Sequence, residues 1–135
     1  VITGLAHIGI AVTDLEEAIV LWTKVTGGRL VHREVVADQK VEVAVILVGE
    51  LRVELLAATS EDSPIAKFVA ARGAGIHHLA LQSTSAQPEL DRLKSAGVRL
   101  IDESPRPGAE NTRVGFLHPK ALGGVLVEIV EYDKP

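Results

Sequence analysis

Apolar positions along the chain fall into short strand-like runs separated by three stretches of helical period. Residues 5–12 are apolar and rich in β-branched side chains, which predicts a strand. Asp14 follows as an N-cap, with Glu17 three residues on in a capping-box spacing. Leu15, Ala18, Ile19, Leu21, Trp22 and Val25 then form one helical stripe, closed by Gly27-Gly28. Strands are predicted near 29–36, 41–48 and 51–57, with Gly49-Glu50 as the turn between the last two. Thr59-Ser60-Glu61-Asp62-Ser63 is a polar break, and Ser63-Pro64 suits the N-cap and first turn of a connecting helix over 64–72, ended by Gly73 and Gly75. The order then recurs: a strand at 75–83, a helix near 86–96, and strands near 98–102, 113–118 and 124–131.

The recurrence extends to individual residues. Gly4-Leu5-Ala6-His7-Ile8-Gly9-Ile10 corresponds to Gly75-Ile76-His77-His78-Leu79-Ala80-Leu81, and Val53-Glu54-Leu55 to Val127-Glu128-Ile129. Gly27-Gly28-Arg29-Leu30 matches Gly97-Val98-Arg99-Leu100. Two copies are too few for a solenoid. The pattern predicts an α+β fold: two pseudo-symmetric βαβββ modules forming one open-barrel, metal-binding domain over 1–135. Module one is 1–58, the connecting segment 63–73 and module two 74–135.

Strand alternation sorts the side chains by face. Ala6, Ile8, Ile10 and Val12 share the face expected to pack on helices, while His7 lies with Leu5, Gly9 and Ala11. In the second copy His78 lies with Ala80 and Gln82 and His77 points the other way, so His78 is the mate of His7. Glu54 and Glu128 sit mid-strand among Val, Leu and Ile, where a carboxylate is costly unless paired or bound to a metal. A single such His or Glu reads most simply as a core or salt-bridged residue. A duplicated His and Glu pair reads as two half-sites for one divalent ion, with His7, Glu54, His78 and Glu128 as ligands. This N/O set suits Zn²⁺, Co²⁺, Ni²⁺, Mn²⁺ or Fe²⁺ alike.

Composition narrows the partners. A net charge of −4 and only four aromatic residues (Trp22, Phe68, Phe116 and Tyr132) argue against nucleic acid. The absence of Cys excludes disulfides, thiolate ligands and a Cys nucleophile. No apolar run is long enough to span a bilayer, and Val1-Ile2-Thr3-Gly4 lacks the regions of a signal peptide, so a cytoplasmic protein is expected. His118-Pro119-Lys120 offers a basic loop for an anionic substrate, as do the less distinctive Arg106, Arg113 and Lys40. His32 reads as a surface residue. No phosphate-binding glycine motif or G-x-S-x-G elbow is present.

The paired modules with matched His and Glu resemble the vicinal oxygen chelate superfamily, which includes glyoxalase I. Within it the chain is most similar to the methylmalonyl-CoA epimerases. The resemblance is carried by His7-Ile8-Gly9-Ile10-Ala11-Val12, Glu54-Leu55-Leu56, Glu61-Asp62-Ser63-Pro64-Ile65-Ala66-Lys67-Phe68, Gly75-Ile76-His77-His78-Leu79-Ala80, Phe116-Leu117-His118-Pro119-Lys120 and Gly124-Val125-Leu126-Val127-Glu128. It implies interconversion of (R)- and (S)-methylmalonyl-CoA with a divalent metal, often cobalt, held by His7, His78, Glu128 and Glu54. It also implies an acyl-CoA substrate and a homodimer. Some members carry Gln at the Glu54 position and a separate basic Glu on the third strand. Here Val43 falls at that place and Glu42 is one residue out of register, which turns its side chain to the other face. Glu54 would then serve as ligand and as proton-transfer group, opposed to Glu128, and Lys120 would contact the CoA or the carboxylate. Two other functions suit the same fold: a glyoxalase I-like enzyme, and a metal-free protein that sequesters small molecules.

Overall fold

The computed structural model describes residues 1–132. Eight strands and three helices alternate as β1 (Ile2–Ala11), α1 (Leu15–Thr26), β2 (Arg29–Val36), β3 (Val41–Val48), β4 (Leu51–Ala58), α2 (Pro64–Arg72), β5 (Gly75–Ser83), α3 (Ala86–Ser95), β6 (Arg106–Pro107), β7 (Arg113–Leu117) and β8 (Val127–Glu131). Short 3₁₀ turns lie at Ala37–Gln39, Ala109–Asn111 and Pro119–Leu122. Helix starts follow the predicted chemistry. The Asp14 carboxylate accepts from the Glu17 N–H at 3.0 Å, and Gly27 ends α1 in the left-handed conformation at φ 71°. The buried Ser63 hydroxyl accepts from the Ile65 N–H, with Pro64 in the first turn of α2.

Contacts gather into two units: His7–His77, and Val1–Ala6 with the chain from His78 onward. Both β1 and β5 contribute to each. In the first unit the strands lie in the order β2-β3-β4-β1, with β4 parallel to β1 and Gly9 beside Glu54. In the second the order is β1-β5-β8-β7-β6, with β5 parallel to β8 and Ala80 beside Glu128. The equivalent pairings Gly9–Glu54 and Ala80–Glu128 express the internal duplication as backbone register.

Each unit packs one helix on one sheet face. Leu15 and Ala18 of α1 meet Val12, Ala44, Ile46, Val53 and Leu55. Ala86 and Leu90 of α3 meet Leu117, Val127 and Ile129. Side chains alternate in register with these, so the opposite face carries the duplicated His and Glu residues. Ala6 departs from the sequence pattern. It joins Ala80, Val114 and Val130 rather than the helix-facing set of Ile10 and Val12.

The strand expected near 98–102 is absent. Leu100 forms only an isolated bridge to Leu117, and the Ile101 and Asp102 N–H groups both donate to the Phe116 carbonyl. Two donors on one acceptor break the regular ladder, and the corresponding edge strand is the two-residue β6.

Candidate metal centre and active site

In the first unit, His7 and Glu54 stand side by side, with His7 Nδ1 at 3.0 Å from Glu54 Oε2. Only 3% of His7 and 8% of Glu54 remain exposed. Glu54 is flanked on its face by Val45, its partner across β3, and by Leu56, both buried. Glu42 lies on the opposite face. Its register partner is Ala57, its strand neighbour Ala44 packs in the α1 core, and its carboxylate accepts from Arg33 Nε at 2.9 Å. Residues 42 and 54 therefore do not face the same space. Glu54 is on the face of His7, and Glu42 is on the helix-packed face.

In the second unit, His78 Nε2 lies 3.8 Å from Glu128 Oε1, and both residues are at least 95% buried. That gap exceeds a hydrogen bond, yet it is less than the sum of two metal–ligand bonds of about 2.0–2.2 Å each. One ion could reach both atoms. A buried carboxylate without such a charge partner costs several kcal/mol of desolvation, on the order of a substantial part of a domain's net stability. His7, His78 and Glu128, all buried, each offer a donor atom that could hold a metal ion. Imidazole nitrogen with carboxylate oxygen suits a divalent first-row cation, so the residues fit the group.

Phe116 is the residue that strand alternation did not flag as part of this half-site. Its backbone pairs with Glu128 across β7 and β8, and its ring meets the His78 imidazole at 5.5 Å between centroids, with the planes at 86°. The signal available was its place in the Phe116-Leu117-His118-Pro119-Lys120 run. His77 points away from His78 and packs its ring on Phe68 of α2 at 4.9 Å, as alternation requires.

The remaining candidates are placed as follows. Lys120 is exposed on the 3₁₀ turn after β7. His118 caps that turn, its Nδ1 accepting from the Lys120 N–H at 3.1 Å. Partial burial, then the charges of Arg99 and Lys120, hold the His118 imidazole below the usual histidine range, which favours the neutral ring, the form with a nitrogen able to accept. Lys40 pairs with Asp62, and His32 with Glu34 at 2.7 Å. Arg113 is exposed at the start of β7. Arg106 lies over the Phe116 ring.

The sequence model of the Glyoxalase/Bleomycin resistance protein/Dioxygenase superfamily matches residues 6–116. The chain belongs to this superfamily. A solved methylmalonyl-CoA epimerase from Mycobacterium tuberculosis superposes with a TM-score of 0.95 at 43% identity, covering 98% of this chain and 90% of that one. A methylmalonyl-CoA epimerase of Streptomyces coelicolor, solved as a Glu-to-Gln variant with 2-nitronate-propionyl-CoA, superposes at 0.94 with 33% identity, covering 99% and 100%. The ethylmalonyl-CoA/methylmalonyl-CoA epimerase of Cereibacter sphaeroides is 38% identical over 93% of this chain and 95% of its own length. These similarities support the α+β fold expected for this superfamily, and the family match starts one residue before His7.

Proposed function

We propose that the chain interconverts (R)- and (S)-methylmalonyl-CoA by removing and returning the proton on the carbon between the thioester and the carboxylate. The observation that carries this is the near full-length similarity to epimerases, in a chain that also buries a duplicated His–Glu pair. We take 1–135 as one working domain in which His7, Glu54, His78 and Glu128 hold a divalent ion, Co²⁺ first, with Zn²⁺, Ni²⁺ and Mn²⁺ as alternatives. When bound, the ion supplies electrophilic stabilisation to the enolate oxygen.

The residues do the rest. One glutamate carboxylate, Glu54 or Glu128, accepts the α-proton, and the other, protonated, returns one from the opposite side. The buried apolar residues around Glu54 (Val45 and Leu56) keep water from that carboxylate, which favours its proton-transfer step. The pairing of β1 with β4, repeated by β5 with β8, supports assigning the two glutamates equivalent roles. Lys120, exposed beside the second half-site's strand, is assigned to the CoA moiety or the substrate carboxylate.

No helix among the described residues is long and apolar enough to cross a membrane. A cytoplasmic homodimer is part of the reading, and the exposed apolar residues of α1 support its dimeric part alone.

The test is ¹H NMR of methylmalonyl-CoA in D₂O with Co²⁺-loaded protein. Loss of the α-proton signal at a catalytic rate is expected. An unchanged signal, alongside turnover of a glutathione hemithioacetal, would replace this reading with a glyoxalase I-like one. An unchanged signal without turnover of either substrate would favour a sequestering protein.

A further inference from the structure

We infer that Asp102, Arg106 and Phe116 form a brace that positions the His78–Glu128 half of the metal site, an inference that rests on the metal-site reading above. Phe116 is held at three levels. Its N–H donates to Asp102 Oδ2 at 2.9 Å, and its carbonyl accepts from the N–H groups of Ile101 at 2.9 Å and Asp102 at 3.1 Å. Its backbone faces Glu128 in register. Its ring stands perpendicular to the His78 imidazole.

Arg106 completes the arrangement. Its guanidinium carbon sits 5.8 Å from the Phe116 ring centroid, within the range of a cation–π contact. Its Nε lies 3.5 Å from the same Asp102 oxygen that holds the Phe116 N–H. Arg106 pairs with Val114 across β6 and β7, so it shares the face of Val114, Phe116 and Glu128. One carboxylate thus fixes both the Phe116 peptide and the cation over its ring, and that ring abuts the imidazole ligand. An imidazole ligand must be fixed in orientation to hold a metal, and groups outside the ligand set commonly supply that constraint. Here an aromatic ring and its cation supply part of that constraint. The segment carrying Asp102 is also where the expected strand gives way to the double hydrogen bond on Phe116. The brace therefore accounts for a local departure from the repeat. Arg106 and Asp102 are positioning residues here: they act through Phe116.

Co²⁺ binding provides the test, read by titration and by the visible d–d spectrum of the loaded protein. Arg106→Gln removes the cation at a position that is one-third exposed, Arg106→Lys keeps it, and Phe116→Leu removes the ring. Outer-shell changes typically cost about 10–100-fold in metal affinity. Phe116→Leu is expected to weaken Co²⁺ about tenfold or more and to shift the d–d bands. Arg106→Gln should produce a smaller shift in the same direction, and Arg106→Lys should restore the parent spectrum. Circular dichroism controls for folding, and Arg106→Gln keeps the test open if Phe116→Leu does not fold. Co²⁺ uptake by the parent protein with unchanged affinity and spectrum in Arg106→Gln and in any folded Phe116→Leu protein overturns the brace alone. No uptake by the parent protein overturns the metal reading and the brace together.

Discussion

Glu42 and Glu54 have the same side chain and opposite surroundings. One pairs with an arginine on the helix-packed face, while the other is buried beside an imidazole. On the proposed function, a proton-transfer group belongs on the face of the duplicated His and Glu residues, where Glu54 lies and Glu42 does not. Glu54→Gln keeps a side-chain oxygen as a ligand but cannot accept a proton. Its α-exchange rate should fall by about 10²–10⁴-fold, the range for loss of a general base, while Co²⁺ remains bound. Glu42→Gln should stay within about threefold of the parent rate, since general-base losses are far larger. A Glu54→Gln protein that exchanges at the parent rate would remove Glu54 as a base. A period-two pattern fixes the face, and duplication marks which of two adjacent histidines to choose, so His7, His78 and Glu128, which could hold an ion, were legible as candidates, and Glu54 as the neighbour of His7. Phe116, Asp102 and Arg106 were not legible as a group. Their association depends on Asp102 reaching a peptide fourteen residues away, in a stretch where the two halves differ.

At the scale of elements, helix starts were the most legible features, because a cap is written within three or four residues. Asp14 with Glu17 and Ser63 with Pro64 act locally and appear as expected. The strand over 98–102 failed for the converse reason: alternation in Val98-Arg99-Leu100 cannot show that Phe116 will take two donors. The polar break before α2 has a local order of its own. Asp62 bonds Ser60 and pairs with Lys40, whose carbonyl accepts the Thr59 N–H. The hydrogen bond from Lys40, then that from Ser60, lowers the Asp62 carboxyl from its ordinary value to about 2. A depressed carboxyl pKa adds stability above its unfolded value, and that stability is lost as pH falls through the folded one. Asp62→Asn should therefore be less stable than the parent at pH 7, with the difference shrinking below about pH 4, near the unfolded carboxyl value. Denaturant unfolding of both proteins from pH 7 to pH 3 measures this. A difference independent of pH would mean that the ion pair contributes nothing.

For the whole molecule, the feature left unused by either half-site is the outer side of α1. Val20, Leu21 and Val25 are 62%, 51% and 80% exposed on a helix whose other side already packs on the sheet. Exposed apolar residues gathered on one side of a helix mark an interaction surface. Glu17, Val20, Leu21 and Lys24 follow one another at helical spacing and share one stripe. If two copies of α1 pair antiparallel about a two-fold axis between residues 20 and 21, Glu17 of each faces Lys24 of the other, with Val20 against Leu21 between them. A two-fold interface must be self-complementary, and this stripe is. The homodimer proposed above would then be built on α1. Leu21→Glu with Val25→Glu should halve the mass seen by light scattering while leaving the circular dichroism spectrum unchanged. Glu17→Lys should weaken the dimer, and adding Lys24→Glu should restore it, because the swapped charges again face each other. A dimer that survives Leu21→Glu with Val25→Glu, or a parent protein that is monomeric, would exclude α1 as the interface. Restoration by the charge swap is the sharper outcome, since loss of apolar area alone cannot produce it.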